Sequence, residues 1–598
     1  MATPIEDYSL LSNCRTAALV SREGRIEWLC LPRLDSPSVF AQMLGGPDDG
    51  MWSLRPSDER AVASRHYDAD TFILVTRWET PDGVAEVHDF MPIGPDPHVA
   101  IGRTDLVRRV VGVSGTVEFS AELRIRFDYA RAMPWVRQHG ADATPELIAM
   151  AGPDALIVRG VRFHAADHRH TAAFAVGAGQ TLDLVLTWFP SYRPIPEPLD
   201  VEQAHAQTRE WWQTWADRIE HGGPHRDEVV RSLLVLRALS NHDTGGIAAA
   251  ATTSLPEDFG GTRNWDYRFV WLRDAALTLE ALLAHGFVDL ADGWRTWLLR
   301  AIAGDPADLQ IMYGLAGERN LPEHELPHLA GYADSKPVRV GNGAALQYQA
   351  DVVGEVLVTL SAARDAGLVE SEFAWRLETH LVRYAAEQFD RPDHGIWEIR
   401  GDLRRFTYSR VMIWATFDRA VRAVEEHGLD GDVDTWRALR ERTRAEIDEQ
   451  GVVDGHFAQY YGTAEVDASL LLLPQVGYCA PDDPRMLATV ERIEQTLMRD
   501  GLVLRYRTDT GVDGLPGGEH PFLACSFWLV EQYAASGRRA DAEALMSRLC
   551  AFTNDLGLLS EEYDPIAQRQ VGNFPQALSH LALVRAADAL AGIGAQPR

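Results

Sequence analysis

The chain predicts a multidomain β-plus-α fold: an N-terminal antiparallel β-sandwich followed by an (α/α)6 barrel of twelve helices. Three observations predict it. Apolar and polar residues alternate through about the first 200 positions, in the manner of strands. From about Asp227 the apolar period becomes helical. The connections between helical segments then alternate in length, one short and the next long. A toroid of antiparallel helix pairs has that rhythm, because every second loop opens on the same end.

The strands come first. Residues 15–20 and 25–31 flank Ser21-Arg22-Glu23-Gly24, a hairpin signal. Further strands are predicted over 72–78, 84–90, 107–113, 116–127, 155–163 and 171–188. Pro81-Asp82-Gly83 and Val113-Ser114-Gly115 read as turns between them. Four prolines within 190–198 close this domain, placed at 1–200. A linker helix is expected within 201–224, with Trp211, Trp212 and Trp215 on adjoining positions of one face.

The barrel domain is placed at 225–598, with helices predicted over 226–242, 273–286, 288–303, 343–366, 370–390, 406–427, 431–450, 464–473, 484–499, 519–536, 538–556 and 574–592. Short connections such as His285-Gly286-Phe287, Ala366-Gly367-Leu368, His427-Gly428-Leu429 and Ser536-Gly537-Arg538 join even to odd helices. The odd-to-even connections are long, which points to function. They would all open at one mouth.

Composition narrows the function. A chain of 598 residues exceeds one core. At 46% hydrophobic and 24% charged, it reads as an ordinary soluble protein. A formal net charge of −30 repels phosphate backbones and anionic lipid, so neither nucleic acid nor membrane is an expected partner. A neutral small-molecule saccharide is compatible with it, and a homo-oligomer is left open. No apolar run reaches the roughly 18 residues of a membrane span. The start shows no basic and apolar leader, and the five scattered cysteines read as buried free thiols, so a cytoplasmic location is expected. No Cys/His spacing resembles a zinc site, and no metal is expected.

Hydrolysis of a glycosidic bond needs two carboxyl groups, one to protonate the leaving oxygen and one to activate water. Gly395-Ile396-Trp397-Glu398 and Leu559-Ser560-Glu561-Glu562-Tyr563-Asp564 each offer a Glu near an aromatic residue, on an odd-to-even loop. An indole beside Glu398 is expected to raise its pKa, and Arg400 to lower it. Of the adjacent pair, Glu561 is taken as the catalyst and Glu562 as a hydrogen-bonded neighbour. Ser560 and Tyr563 are candidates to orient it. Arg273-Asp274 after Tyr267 and Trp271 suits a sugar, with a forked donor, an acceptor and a ring face. Arg505 is a further sugar donor, beside the glycine-rich stretch 514–519. Arg339-Val340-Gly341-Asn342-Gly343 permits close ligand approach or simply starts a helix. His580 reads as a packed helix residue.

The chain resembles glycoside hydrolase family 15, the glucoamylases and microbial trehalases. The resemblance rests on Trp28–Phe40, on Arg263-Asn264-Trp265-Asp266-Tyr267-Arg268, on Trp397-Glu398 and on Gly572-Asn573-Phe574-Pro575-Gln576-Ala577. It implies an inverting mechanism with Glu398 as general acid and Glu561 as general base. It also implies a terminal-glucose pocket of Tyr267, Trp271, Arg273 and Asp274, less firmly Arg505, with Trp397 and Asn342 beside it. The implied activity is that of an exo-acting α-glucosidase releasing β-D-glucose, with trehalose the first substrate to consider. Maltose or malto-oligosaccharides are the alternative. A disaccharide phosphorylase or an inactive sugar-binding protein comes behind, because both carboxylates are present. No cofactor is expected from the residues. Similarity to mycobacterial trehalases implies dependence on phosphate and magnesium, for which these residues show no site.

Overall fold

The computed structural model describes residues 2–94, 102–141, 144–515 and 518–593, and every structural statement here concerns those. Pro516 and Gly517, within the glycine-rich stretch singled out above, lie outside them.

The N-terminal part is built from antiparallel strands in two sheets that share one long strand, Thr104–Arg124. Its first half pairs with Gly83–Phe90 and Thr181–Pro190, its second with Met51–Pro56 and Arg169–Gly177. Two strands, 107–113 and 116–127, are therefore one. Gly115, at φ 60°, and an irregular register at Val84/Ala85 bend the chain from one sheet to the other without reversing it. The converse occurs at 171–188. Gly177-Ala178-Gly179-Gln180 reverses the chain there, with Gln180 N–H donating to Gly177 C=O. Strands Tyr8–Ser12, Val62–Tyr67, Trp135–His139 and Glu146–Ala151 have no counterpart in the periodicity. Tyr8–Ser12 is buried on both faces and so shows no alternation.

Helix α1 (Val201–Ala216) follows, its N-terminus capped by Asp200, whose carboxylate accepts from Gln203 N–H. Trp212 and Trp215 are buried in the common core. Trp211 lies half-buried under the Arg237 guanidinium.

Eleven α-helices and one short 3-10 helix make the barrel. They are α2 (Arg226–Leu239), α3 (Leu272–Ala284), α4 (Val288–Ala301), α5 (Asp351–Asp365), α6 (Glu372–Glu387), α7 (Thr407–Glu425), α8 (Val433–Gln450), the 3-10 helix Ala468–Leu472, α9 (Pro484–Thr496), α10 (Leu523–Ala535), α11 (Arg539–Cys550) and α12 (Ala577–Ala591). An inner ring closes through α3, α5, α7, the 3-10 helix, α10, α12 and back to α3. The other six helices stand outside it, α2 against α12 and α8 against α7. Burial follows this division. Nearly every residue of α5 is buried, whereas α6 buries only the stripe Ala374, Trp375, Glu378, Leu381, Val382 and Ala385.

Two predicted helices need correction. Residues 464–473 form no α-helix. The fully buried run Ala468–Leu472 tightens to 3-10 instead. The helix over 343–366 begins as one 3-10 turn capped by Asn342, and α5 starts at Asp351. Between them Gln347 is extended, and its amide reaches into the mouth to donate to Glu398 C=O at 3.2 Å.

The β-domain docks on the barrel by polar contacts in buried positions. Trp28 Nε1–H donates to Ala251 C=O at 3.0 Å. Arg268, fully buried, pairs with Asp266 and reaches across to Ser36 C=O at 2.9 Å and Tyr129 OH at 2.8 Å. Among the described residues, no helix is long and apolar enough to cross a membrane.

Candidate active site

Glu398 ends a tight turn on the loop between α6 and α7, its N–H donating to Gly395 C=O at 3.2 Å. Its backbone is left-handed, at φ 56°. For a residue with a Cβ that conformation costs about 1–3 kcal/mol and persists only when neighbours hold it. Arg273 holds the turn, donating from Nη1 to Ile396 C=O at 2.5 Å, and Gln347 holds the carbonyl that follows. Gly395 admits the packing: a Cβ there would meet the Phe406 ring at 2.8 Å.

Burial raises the Glu398 pKa. The Arg273 charge and the Trp271 indole N–H, which donates to Oε1 at 2.5 Å, oppose that rise. The expected indole was Trp397. Its Nε1–H instead donates to Asp467 at 3.2 Å, and its ring packs toward Trp528, Tyr506 and Phe522. The indole that touches the acid is Trp271.

Glu561 and Glu562 diverge at the start of a two-stranded ribbon, Glu562–Asp564 with Arg569–Val571. Glu561 Oε1 accepts from the Tyr267 hydroxyl at 2.7 Å, and Oε2 from Asn573 N–H at 3.4 Å. A Cβ at Gly572, where φ is 80°, would lie 2.7 Å from the Glu561 side chain, so glycine makes room for it. Glu562 is buried behind, accepting from His520 N–H at 2.9 Å and facing Arg505 at 3.2 Å. The orienting group for Glu561 is Tyr267, not Ser560 or Tyr563. Ser560 Oγ donates to Glu562 C=O, and Tyr563 stacks on Phe552. His580 is a packed residue. Its Nε2 accepts from Leu559 N–H, and burial pushes its pKa down to about 3.

Four buried carboxyl groups, Glu257, Glu519, Glu561 and Glu562, surround Arg505, with Arg263 against Glu519 and Asp513. Burial pushes Glu519, Glu561 and Glu562 upward, the Glu257 charge adds to this, and Arg505 opposes it. Glu561 is pushed up to about 8. Glu561 must be ionised to act as a base, and Arg505 and the Tyr267 hydroxyl favour that form.

One narrow pocket gathers all nine residues expected from the sequence: Tyr267, Trp271, Arg273, Asp274, Asn342, Trp397, Glu398, Arg505 and Glu561. On its wall Tyr267 and Trp397 are half-buried and Arg400 is exposed. Asn342 is on the wall, but both ends of its amide are engaged, accepting from Ala344 N–H and donating to Asp266 C=O. Arg273 Nε–H donates to Asp274 at 2.6 Å, fixing a donor and an acceptor side by side. The pocket also takes in Glu257, Arg263, Trp265 and Arg400, which the motifs did not single out as ligands.

Carboxylate oxygens of Glu257, Glu561 and Glu562 lie within 4.8 Å of one another, the spacing of a cation site. The Arg505 guanidinium already bonds Glu257 and faces Glu562. The set therefore does not fit a divalent cation as it stands. His225, Glu228 and Cys550 form a second group, half-buried and away from the pocket.

The profile of glycosyl hydrolases family 15 matches residues 223–541 and 537–588, and that of the trehalase-like N-terminal domain matches residues 1–208. A trehalase of Mycolicibacterium smegmatis is 38% identical over 98% of this chain and 90% of its own length. A trehalase of Mycobacterium tuberculosis is also 38% identical, over 98% of this chain and 89% of its own length. A bacterial glucoamylase complexed with acarbose superposes with a TM-score of 0.74, covering 100% of this chain and 95% of its own. At 13% identity, that likeness speaks to the fold alone.

Proposed function

The chain belongs to glycosyl hydrolases family 15, and from that premise we propose that it is an inverting α-glucosidase whose substrate is trehalose. It is a glycoside hydrolase. The observation that carries the mechanism is that Glu398 and Glu561, on loops far apart in the barrel sequence, line one pocket with the Arg273–Asp274 pair.

In this reading the terminal glucose enters the pocket and meets Arg273 and Asp274, one donating to its hydroxyls and the other accepting. Glu398, whose pKa burial raises, gives its proton to the glycosidic oxygen as the bond to the anomeric carbon breaks. Glu561 takes a proton from a water that attacks the same carbon from the opposite face. Tyr267 orients that carboxylate. The attacked glucose leaves as the β anomer. No step runs through a metal or phosphate.

Near full-length identity of 38% to proteins named trehalase supports the substrate. The cytoplasmic location expected above is part of the proposal, supported by five free cysteines, three of them buried. The test is glucose release by the purified chain from trehalose, maltose, isomaltose and starch. A kcat/KM for trehalose above the others is expected; a preference for maltose would overturn the substrate.

A further inference from the structure

The pocket has a floor and a rim. Trp271, Asp274 and Ile396 at the floor are each under 5% exposed. Arg400, on the wall two residues past Glu398, keeps 34% of its side chain exposed, and Trp265 beside it is half-buried. A sugar held at the floor with its bond at Glu398 must project its leaving group toward that rim.

The rim is built. The Arg400 guanidinium lies 4.1 Å from the centre of the Trp265 ring, and that of Arg339 lies 4.4 Å from it. Glu323 joins the two, accepting from Arg400 Nη2 at 3.1 Å and standing 3.7 Å from Arg339 Nε. Gly343 N–H fixes the same Glu323 carboxylate. Arg339 is anchored in turn, donating to Thr262 and Asn264 carbonyls. Arg400 thus has its plane set by an indole and one corner set by a carboxylate. Its remaining N–H groups, Nε and Nη1, donate to no group among the described residues. A stacked guanidinium with free donors suits vicinal hydroxyls, which it meets as a fork.

We propose that Arg400, braced on Trp265 by Arg339 and Glu323, binds the second sugar and so determines selectivity for a disaccharide. The assignment rests on the α-glucosidase reading above. The Trp265 ring is engaged by guanidinium groups, so recognition of the second sugar depends on hydrogen-bond donors more than on a bare aromatic face. That favours a compact, hydroxyl-rich leaving group over an alkyl or halide one.

The test compares trehalose with α-glucosyl fluoride, which carries the same first sugar and no second. The expected result for Arg400→Ala is a ratio of kcat/KM, trehalose over fluoride, lowered about ten- to hundredfold, the worth of one hydrogen bond from a charged donor. Glu323→Gln, which loosens Arg400 without removing it, should lower the same ratio by less. The ratio is read on the pH plateau, because loss of the Arg400 charge, which lowers the Glu398 pKa, should also carry the alkaline limb of the trehalose profile upward. Equal losses on both substrates, or none on either, would overturn the assignment. Turnover of neither substrate by the unaltered chain would instead sink the underlying α-glucosidase reading.

Discussion

The rings of Tyr267 and Trp271 meet edge to face at 5.3 Å, and each donates to a different carboxyl group. Tyr267 OH donates to Glu561, and Trp271 Nε1–H to Glu398. Two residues four apart in sequence therefore hold two groups that are 163 apart (561 less 398). An inverting pair must keep a set separation, with room for water on one side of the sugar. An edge-to-face aromatic pair is stiff, and here it stands between both partners.

Glu398→Gln and Glu561→Gln should each lower kcat about 10²–10⁴-fold, the usual worth of general acid or base assistance. Both changes are nearly isosteric, so circular dichroism and Tm should hardly move. Glu562→Gln should behave differently. It weakens the buried pairing with Arg505, so its effect should appear in Tm at least as strongly as in kcat. A Glu562 variant that kept its Tm and lost all turnover, beside an active Glu561 variant, would reverse the assignment of the base.

Trp271→Phe should move the alkaline limb of kcat/KM to higher pH. The indole N–H bonds the ionised form of Glu398 and so lowers its pKa; removing the donor lets it rise, and the acid keeps its proton longer. Trp397→Ala should leave that limb in place, because its indole bonds Asp467. The opposite pattern in pH–rate profiles would restore Trp397 as the tuning residue.

Arg273→Lys should be nearly as harmful as Arg273→Ala. One guanidinium bridges Asp274 and Ile396 C=O, two partners on different segments, and an ammonium lacks the fork to reach both. Losing the second bond also frees the strained turn at Glu398, so kcat should fall along with kcat/KM. Near-normal kinetics in the lysine variant would show that charge alone matters at this position.

Proton NMR of the first turnovers reports the stereochemistry. Trehalose has both anomeric carbons in α linkage, so inversion at one should release β- and α-glucose in equal initial amounts. A retaining mechanism would give α-glucose alone at first, and the roles of Glu398 and Glu561 would have to be abandoned.

Stability should fall as pH rises toward 8. Burial on α5 pushes Glu355 from its ordinary 4.5 up to about 8. A raised carboxyl keeps its proton in the folded state, so its contribution is full below 4.5 and is lost as pH climbs through 8. Glu355→Gln, which does not titrate, should flatten the decline of Tm across that window. An unchanged slope would place the pH dependence elsewhere.

The ring of helices was legible because the loops alternate in length, a property of chain topology that needs no long-range contact. The eighth helix was not, because Val466 to Leu473 is apolar enough for either geometry and the buried setting decides. Eight of the nine pocket residues were legible because each sits in a short string beside an aromatic residue or an opposite charge, and Asn342 stood out by its flanking glycines. Glu257, Arg263 and Glu519 were not. Their chemistry comes from facing Arg505 or its partners across 248, 256 and 14 residues of chain, and no local string records that. The exchange of Trp397 for Trp271 has the same origin. Adjacency in sequence suggested the first, while the turn at Glu398 points its carboxyl at the second.

Arg268 also bears on how such an enzyme can be inherited or recombined. It sits next to Tyr267, and its donors are divided between Asp266 in the barrel and Ser36 and Tyr129 in the β-domain. A barrel cut free at the linker would carry every pocket residue and still lose two of the acceptors that hold Arg268, leaving Asp266 alone to fix the residue beside the partner of Glu561. The two halves are therefore one heritable unit. A chimera joined at residue 200 should work only if the incoming β-domain brings its own counterparts of Ser36 and Tyr129, which makes domain swapping within the family a question of two acceptors more than of overall likeness.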